Sequence, residues 1–152
     1  MNDKVYVQFG CGGNRLDGFH NHDSEVDITK RLPYDDNSVD FVFIEHCVEH
    51  ISGPQVLGFF EEVYRILKHG GVFRLCIPVL DHLKRDHAKD IIRGHGHLTI
   101  WSRELTPMVL WAAGFPDDAI IESEFKPQTD GHHRVIGVEK DAQETARYEA
   151  TK

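Results

Sequence analysis

Along this chain, apolar and polar residues fall into runs whose lengths and endings separate strands from helices. KVYVQF (residues 4–9) reads as a short strand that ends at once in the glycine turn GCGGN. SVDFVFIEH (38–46) and VFRLCIPVL (72–80) are near-continuous apolar runs, the mark of parallel strands covered on both faces. Between them, PQVLGFFEEVYRILKHGG (54–71) sets Val56, Phe60, Val63 and Leu67 on one helical stripe. Pro54 starts that helix and Gly70 caps it. Strand, helix and strand make a right-handed crossover, so the pattern predicts a doubly wound α/β sheet.

The second half is less regular. SRELTPMVLWAAGF (102–115) predicts a helix interrupted near Pro107 and closed by Gly114. AIIESEFKP (119–127) and HRVIGVEK (133–140) predict an antiparallel strand pair at the sheet edge, joined by the turn QTDGH. From about Lys140 the chain is polar and is expected to fray. The domain is therefore placed at 1–139, with a tail at 140–152.

Composition narrows the function classes. A chain of 152 residues, 40% hydrophobic and 28% charged, is sized for one domain with one sizeable core. No apolar run approaches the roughly 20 residues of a membrane helix. The start, MNDKVYVQFG, lacks a signal-peptide layout. A formal net charge of −8 argues against nucleic acid or an anionic membrane as the main partner. Cys11, Cys47 and Cys76 are an odd set without C-x-x-C spacing, as expected of reduced thiols in the cytoplasm.

The 11 histidines raise the question of a metal, above all in His46-x-x-Glu49-His50, the pattern of inverted zinc peptidases. In those enzymes the motif lies inside a long helix. Here it follows the strand FVFI directly, and Gly53-Pro54 ends any helix within a turn. The context is wrong for a peptidase, and no metal ligand is assigned. Glu45 and His46 instead stand at the carboxyl end of a central strand, where open α/β sheets bind ligands. Glu49 and His50 are expected to serve local structure.

Gly10, Gly12 and Gly13 sit where backbone N–H groups can approach a ligand closely. The dinucleotide fingerprint G-x-G-x-x-G fails at Arg15, and no Lys-Ser/Thr follows to make a phosphate loop. Asn14 tolerates left-handed backbone in a glycine's place.

VQFGCGGN, NHD, DITKRLPYDDNSVDFVFIEHCVEH and VYRILKHGGVFRLCIP resemble, in that order, the motifs of class I S-adenosylmethionine-dependent methyltransferases. The resemblance covers about residues 4–80, and LPYDDNSVDFV, EHCVEH and RILKHGG are similar to blocks of its small-molecule branch. It implies a Rossmann-like sheet, mostly parallel with an antiparallel C-terminal strand pair. It also implies that the turn and its flanks (Phe9, Gly10, Cys11, Gly12, Gly13 and Asn14) hold the amino-acid end of S-adenosyl-L-methionine. Asp23 would accept from the ribose hydroxyls, and Asp27 and Ile28 would line the adenine. His22, on the same strand face as His20, points toward that base, and Glu45 completes the cofactor set.

The sequence departs from the family in three places. Only three residues separate Asp23 from Asp27, where the family has a helix and a further strand. The sheet is thus expected to be truncated between strands 2 and 3, and the ribose role is open between the two aspartates. The first strand begins at about residue 4, which leaves no covering helices before it. Asn14 and Arg15 replace part of the common glycine pattern.

The expected activity is methyl transfer to an unidentified small-molecule acceptor. His46 is the first candidate for a general base and His97 the second, because histidine titrates near neutral pH. The alternatives are a cofactor-binding protein or subunit without catalysis of its own and, third, a zinc-dependent hydrolase. The segment KDIIRGHGHLTIWS (89–102) is the expected lid. Its Ile91, Ile92, Leu98, Ile100 and Trp101 are too apolar for water, and a second copy of the chain or a partner protein is expected to cover them.

Overall fold

Two apolar runs flanking an amphipathic helix fold as their patterning dictates. The computed structural model describes residues 4–81, 89, 96–123 and 145–152. β1 (Tyr6–Phe9), β2 (His20–His22), β3 (Val39–Glu45) and β4 (Leu67–Pro78) pair in parallel. Strands β5 (Ile120–Glu122) and β6 (Thr145–Thr151) add antiparallel pairs, and the sheet order is β2-β1-β3-β4-β6-β5. The chain runs from β1 to β2 on one side and returns to β3 on the other, so the crevice beyond β1 is a topological switch point.

Side chains on β3 alternate between two cores, as the strand period requires. Val39, Val42 and Ile44 join the larger one under α1 (Gly53–Ile66) and α2 (Leu105–Ala112), with Phe59, Phe60, Phe73 and Phe115. Phe41 and Phe43 face the other side with Leu16, Phe19 and Cys76.

Several boundaries differ from expectation, each for a physical reason. Helix α1 starts with Pro54 in its first turn as foreseen, but it stops at Ile66. Leu67 is already extended and pairs with Val39, so Gly70 is not the cap. Gly70, at φ +78°, instead shapes an irregular stretch of β4 that ends before Val72 pairs with Phe41. Pro107 does not interrupt α2. It lies in the first turn, where its missing N–H is no loss, and Gly114 closes the helix at φ +112°.

The largest correction concerns the expected tail at 140–152. Thr145–Thr151 is a strand inserted between β4 and β5. Arg74 and Glu149 lie directly opposite each other, and the fully buried Arg74 donates to Glu149 Oε1 (3.0 Å) and Ser123 Oγ (2.6 Å). β5 therefore has its antiparallel partner, but it is β6; HRVIGVEK and the turn QTDGH lie outside the described residues. Of the apolar lid residues, Leu98 and Ile100 are 67% and 47% exposed, whereas Trp101 is buried in the core. Ile91 and Ile92 lie outside the described residues. No helix among the described residues is long and apolar enough to cross a membrane.

Residues 23–38 connect β2 to β3 without a helix or strand between them, and α1 holds this connection by one charged pair. Glu62 Oε2 accepts from the Leu32 N–H (2.8 Å) and from Arg65 Nη2 (2.7 Å). Arg65 also donates to the carbonyls of Leu32 (3.3 Å) and Tyr34 (2.9 Å) and to Asp36 Oδ1 (2.7 Å). The Arg65 hydrogen bonds hold the Glu62 carboxyl below its ordinary 4.5, against the opposing effect of burial. A carboxylate with a lowered folded pKa stabilises fully above its ordinary value, and the contribution is lost as pH falls through the folded one. Glu62→Gln should therefore cost about 1.5–3 kcal/mol at neutral pH. Its deficit relative to the parent chain should shrink below pH 4.5, as urea unfolding across that range will read out.

Candidate functional site

The residues that follow β1, β2 and β3 converge on one cleft of about 520 Å³. That volume is within the roughly 300–1,000 Å³ usual for small-molecule sites. Its lining includes Gly10 and Gly12 after β1, Asp23, Asp27 and Ile28 after β2, and His46 after β3. Gly10 (φ +63°) and Gly12 (φ +50°) are both left-handed, a backbone that favours glycine. The Gly12 N–H donates to Asp23 Oδ1 at 3.3 Å, and the Cys11 N–H to the His22 carbonyl at 3.0 Å. The two strand ends are thereby tied together across the cleft.

Asp23 and Asp27 are both exposed but differ in their duties. Asp27 Oδ1 accepts from the Thr29 N–H (2.9 Å) and hydroxyl (2.7 Å), and these bonds hold its carboxyl below the usual range. Ile28 is nearly buried between them in sequence, with its side chain in the larger core.

The other expected cofactor residues lie around the cleft rather than on its wall. Phe9 is fully buried and stacks on the His22 ring at 5.6 Å. Cys11 is buried, Gly13 and Asn14 are exposed, and Glu45 is half-buried at the end of β3. His20 and His22 do share a face, and both reach the Tyr34 hydroxyl, at 3.2 and 2.7 Å. Burial pushes the Tyr34 hydroxyl up to about 12, so it stays protonated.

His46, at φ +46°, turns sharply out of β3 while its N–H donates to the Cys76 carbonyl. Its Nε2 lies 2.9 Å from Thr145 Oγ1 and its Nδ1 3.8 Å from Glu49 Oε1. Glu49 and His50 lie in a 3-10 turn, Val48–His50, rather than in a long helix. That geometry agrees with setting the peptidase aside. His97 is not on the cleft wall; it meets the same Glu49 oxygen at 3.9 Å.

Sequence reasoning missed Ser24, Val26, Thr29, Cys47, His50 and Ile51, which complete the lining. Most stand within a few positions of a residue that was foreseen, so adjacency was the available signal. Cys47 also sets the glycine requirement: a Cβ on Gly10 would stand 2.7 Å from its Sγ. Burial, reinforced by the Glu49 charge, raises the Cys47 thiol to about 11, so it is no thiolate nucleophile.

Residues 8–75 match a family described as "Methyltransferase domain". That span contains the glycine turn, both aspartates and the His46–His50 segment. No curated protein matches the chain. Among solved structures, an S-adenosylmethionine-dependent methyltransferase from Archaeoglobus fulgidus is similar over 99% of this chain and 87% of its own, at 14% identity and TM-score 0.68. A methyltransferase in complex with the Haloferax volcanii Trm112 methyltransferase activator is similar over 97% of this chain and 82% of its own, at 16% identity and TM-score 0.62. Phosphoethanolamine N-methyltransferase 2 from Haemonchus contortus, in complex with S-adenosyl-L-methionine, matches 82% of this chain and 35% of its own, at 20% identity and TM-score 0.62. The chain shares the fold of these S-adenosylmethionine-dependent methyltransferases, and residues 8–75 match the methyltransferase-domain family.

The Gly10 contact gives a direct test of how the turn is built. Gly10→Ala should destabilise the fold by about 1–2 kcal/mol from the left-handed backbone alone, with the Cys47 clash added. Combining it with Cys47→Ala should recover the clash but not the backbone part, measured as a double-mutant cycle by chemical denaturation.

Proposed function

We propose that this chain binds S-adenosyl-L-methionine in the β1–β3 cleft and transfers its methyl group to a small-molecule acceptor. The observation that carries the reading is the pairing of the left-handed Gly10–Gly12 turn with the Asp23 carboxylate at adjacent strand ends. The left-handed turn brings its backbone to the cleft wall, where the cofactor's amino-acid end can approach it closely. Asp23 is the better ribose ligand because it accepts one long bond, from the Gly12 N–H at 3.3 Å, whereas Asp27 accepts two short ones from Thr29. Ile28 and Val26 offer the adenine an apolar wall.

When bound, the cofactor supplies the methyl on a sulfonium, a good leaving group, so the chain's task is mainly in-line positioning. His46 lines the cleft, which supports it as the group that takes a proton from the acceptor. Thr145 fixes its ring, and the Glu49 carboxylate 3.8 Å away balances the charge it then carries. Three free thiols support a reducing, cytoplasmic setting.

Calorimetry with S-adenosylhomocysteine tests the cleft. Asp23→Ala should weaken binding by roughly tenfold or more, the loss of a charge-assisted bond, while Asp27→Ala changes it little. Unchanged affinity in the Asp23 variant would overturn the assignment.

Leu98, Ile100, Met108 and Trp111 are exposed by 47–67% and lie on α2 and the segment before it. A second copy of the chain covers them as a symmetric homodimer. Light scattering at several concentrations should give a dimer mass. A monomer throughout would leave a partner protein as the cover.

A further inference from the structure

Glu49 is 1% exposed, and its Oε1 is approached from three sides by imidazole nitrogens. His46 Nδ1 and His50 Nε2 stand 3.8 Å away and His97 Nε2 3.9 Å away. The donor atoms of Glu49, His50 and His97 all lie within 4.8 Å of one another. Two ligands of one tetrahedral ion at about 2.0–2.1 Å stand about 3.3–3.4 Å apart. The two Glu49–histidine separations exceed that by about half an ångström, and the His50–His97 donor atoms lie no more than 4.8 Å apart.

The surroundings hold these groups in place. The Gly96 carbonyl lies 3.4 Å from His50 Nδ1, so it accepts from that nitrogen and leaves the Nε2 lone pair facing Glu49. A backbone carbonyl on the far nitrogen is the usual support for a metal-ligating histidine. His97 is delivered by a docked segment: the Leu98 and Thr99 N–H groups donate to the Glu49 carbonyl at 2.8 and 3.1 Å. Trp101, buried in the core, donates to Thr99 Oγ1 at 2.9 Å and anchors the same segment. The His50 and His97 rings are near-perpendicular with centroids 4.9 Å apart.

We propose that Glu49, His50 and His97 bind one divalent transition-metal ion of the zinc or cobalt type, beside the cofactor cleft that His50 lines. Two neutral imidazoles and a carboxylate are the donors such ions select. Three protein ligands leave at least one coordination position open, as in catalytic rather than structural sites. His50 and His46 line the cleft, so that position is within reach of an acceptor there. His46, 3.8 Å from Glu49 Oε1, is not one of the mutually close donors and stays outside the ligand set. Metal binding stands on these residues alone and does not require that the cleft take S-adenosylmethionine.

The test uses the full chain freed of metal by dialysis against chelator, then titrated with zinc chloride in the calorimeter and cobalt chloride in the spectrophotometer. One saturable ion per chain is expected, with visible cobalt absorption. His50→Ala and His97→Ala should each weaken zinc binding about tenfold or more and remove the cobalt band. Exposed His69→Ala should do neither. Circular dichroism checks that both site variants fold, and His97→Gln stands in if the alanine does not. No saturable binding, or equal binding by the parent chain and the His50→Ala/His97→Ala double variant, would overturn the proposal. Calorimetry with S-adenosylhomocysteine on the same samples is read separately, so failure of one site is distinguishable from failure of the other.

Discussion

The ion pair between Glu62 and Arg65 is the constraint on which the site's geometry rests. Both residues lie on α1, one turn apart, yet what they bond is the backbone of residues 32–36. That connection has no regular structure of its own, so it needs external partners for its polar groups. Held there, it presents Tyr34 to His20 and His22, and those histidines form β2 beside the glycine turn. The β2 side of the cleft is therefore positioned from a helix on the sheet face, by charge-assisted hydrogen bonds.

The opposite wall depends on β3 ending abruptly. His46 leaves the strand in a left-handed conformation, and the turn that follows carries Glu49 inward. Burying a carboxylate is expensive unless positive or polar groups surround it. The chain gathers three histidines around it from two segments far apart in sequence. Thr145 from β6 completes the setting by fixing the far side of the His46 ring. His46, the buried Glu49 charge and the interior strand β6 thus share one network.

Much of this was legible in the residues, and the exceptions have causes. Continuous apolar runs identified β3 and β4, and the need for glycine at positive φ marked the turn at Gly10 and Gly12. Flanking Gly53-Pro54 was enough to deny the His46–His50 motif a long helix. Leu67 was misplaced because an apolar residue there satisfies both the helical stripe and the first position of a strand. β6 was invisible because TARYEAT reads as polar; the half-buried Glu149 is paired by Arg74, and the buried Arg147 donates to the Thr145 carbonyl. His97 looked like part of a mobile glycine loop. Its docking on the Glu49 carbonyl is a tertiary fact that no local pattern announces.

The insertion of β6 between β4 and β5 also bears on how the protein reaches its native state. Val72 pairs with Thr151 and Pro78 with Thr145, so both partners of each pair are widely separated along the chain. Closing such a loop is an entropic penalty met before any ladder bond repays it, and folding of this kind is slow. Until β6 arrives, β4 is an unpaired, largely apolar edge carrying Arg74 in its middle, open to strands of other molecules. The guanidinium is then a safeguard in the unfinished molecule: a charge that disfavours wrong edge-to-edge pairing until Glu149 comes to neutralise it.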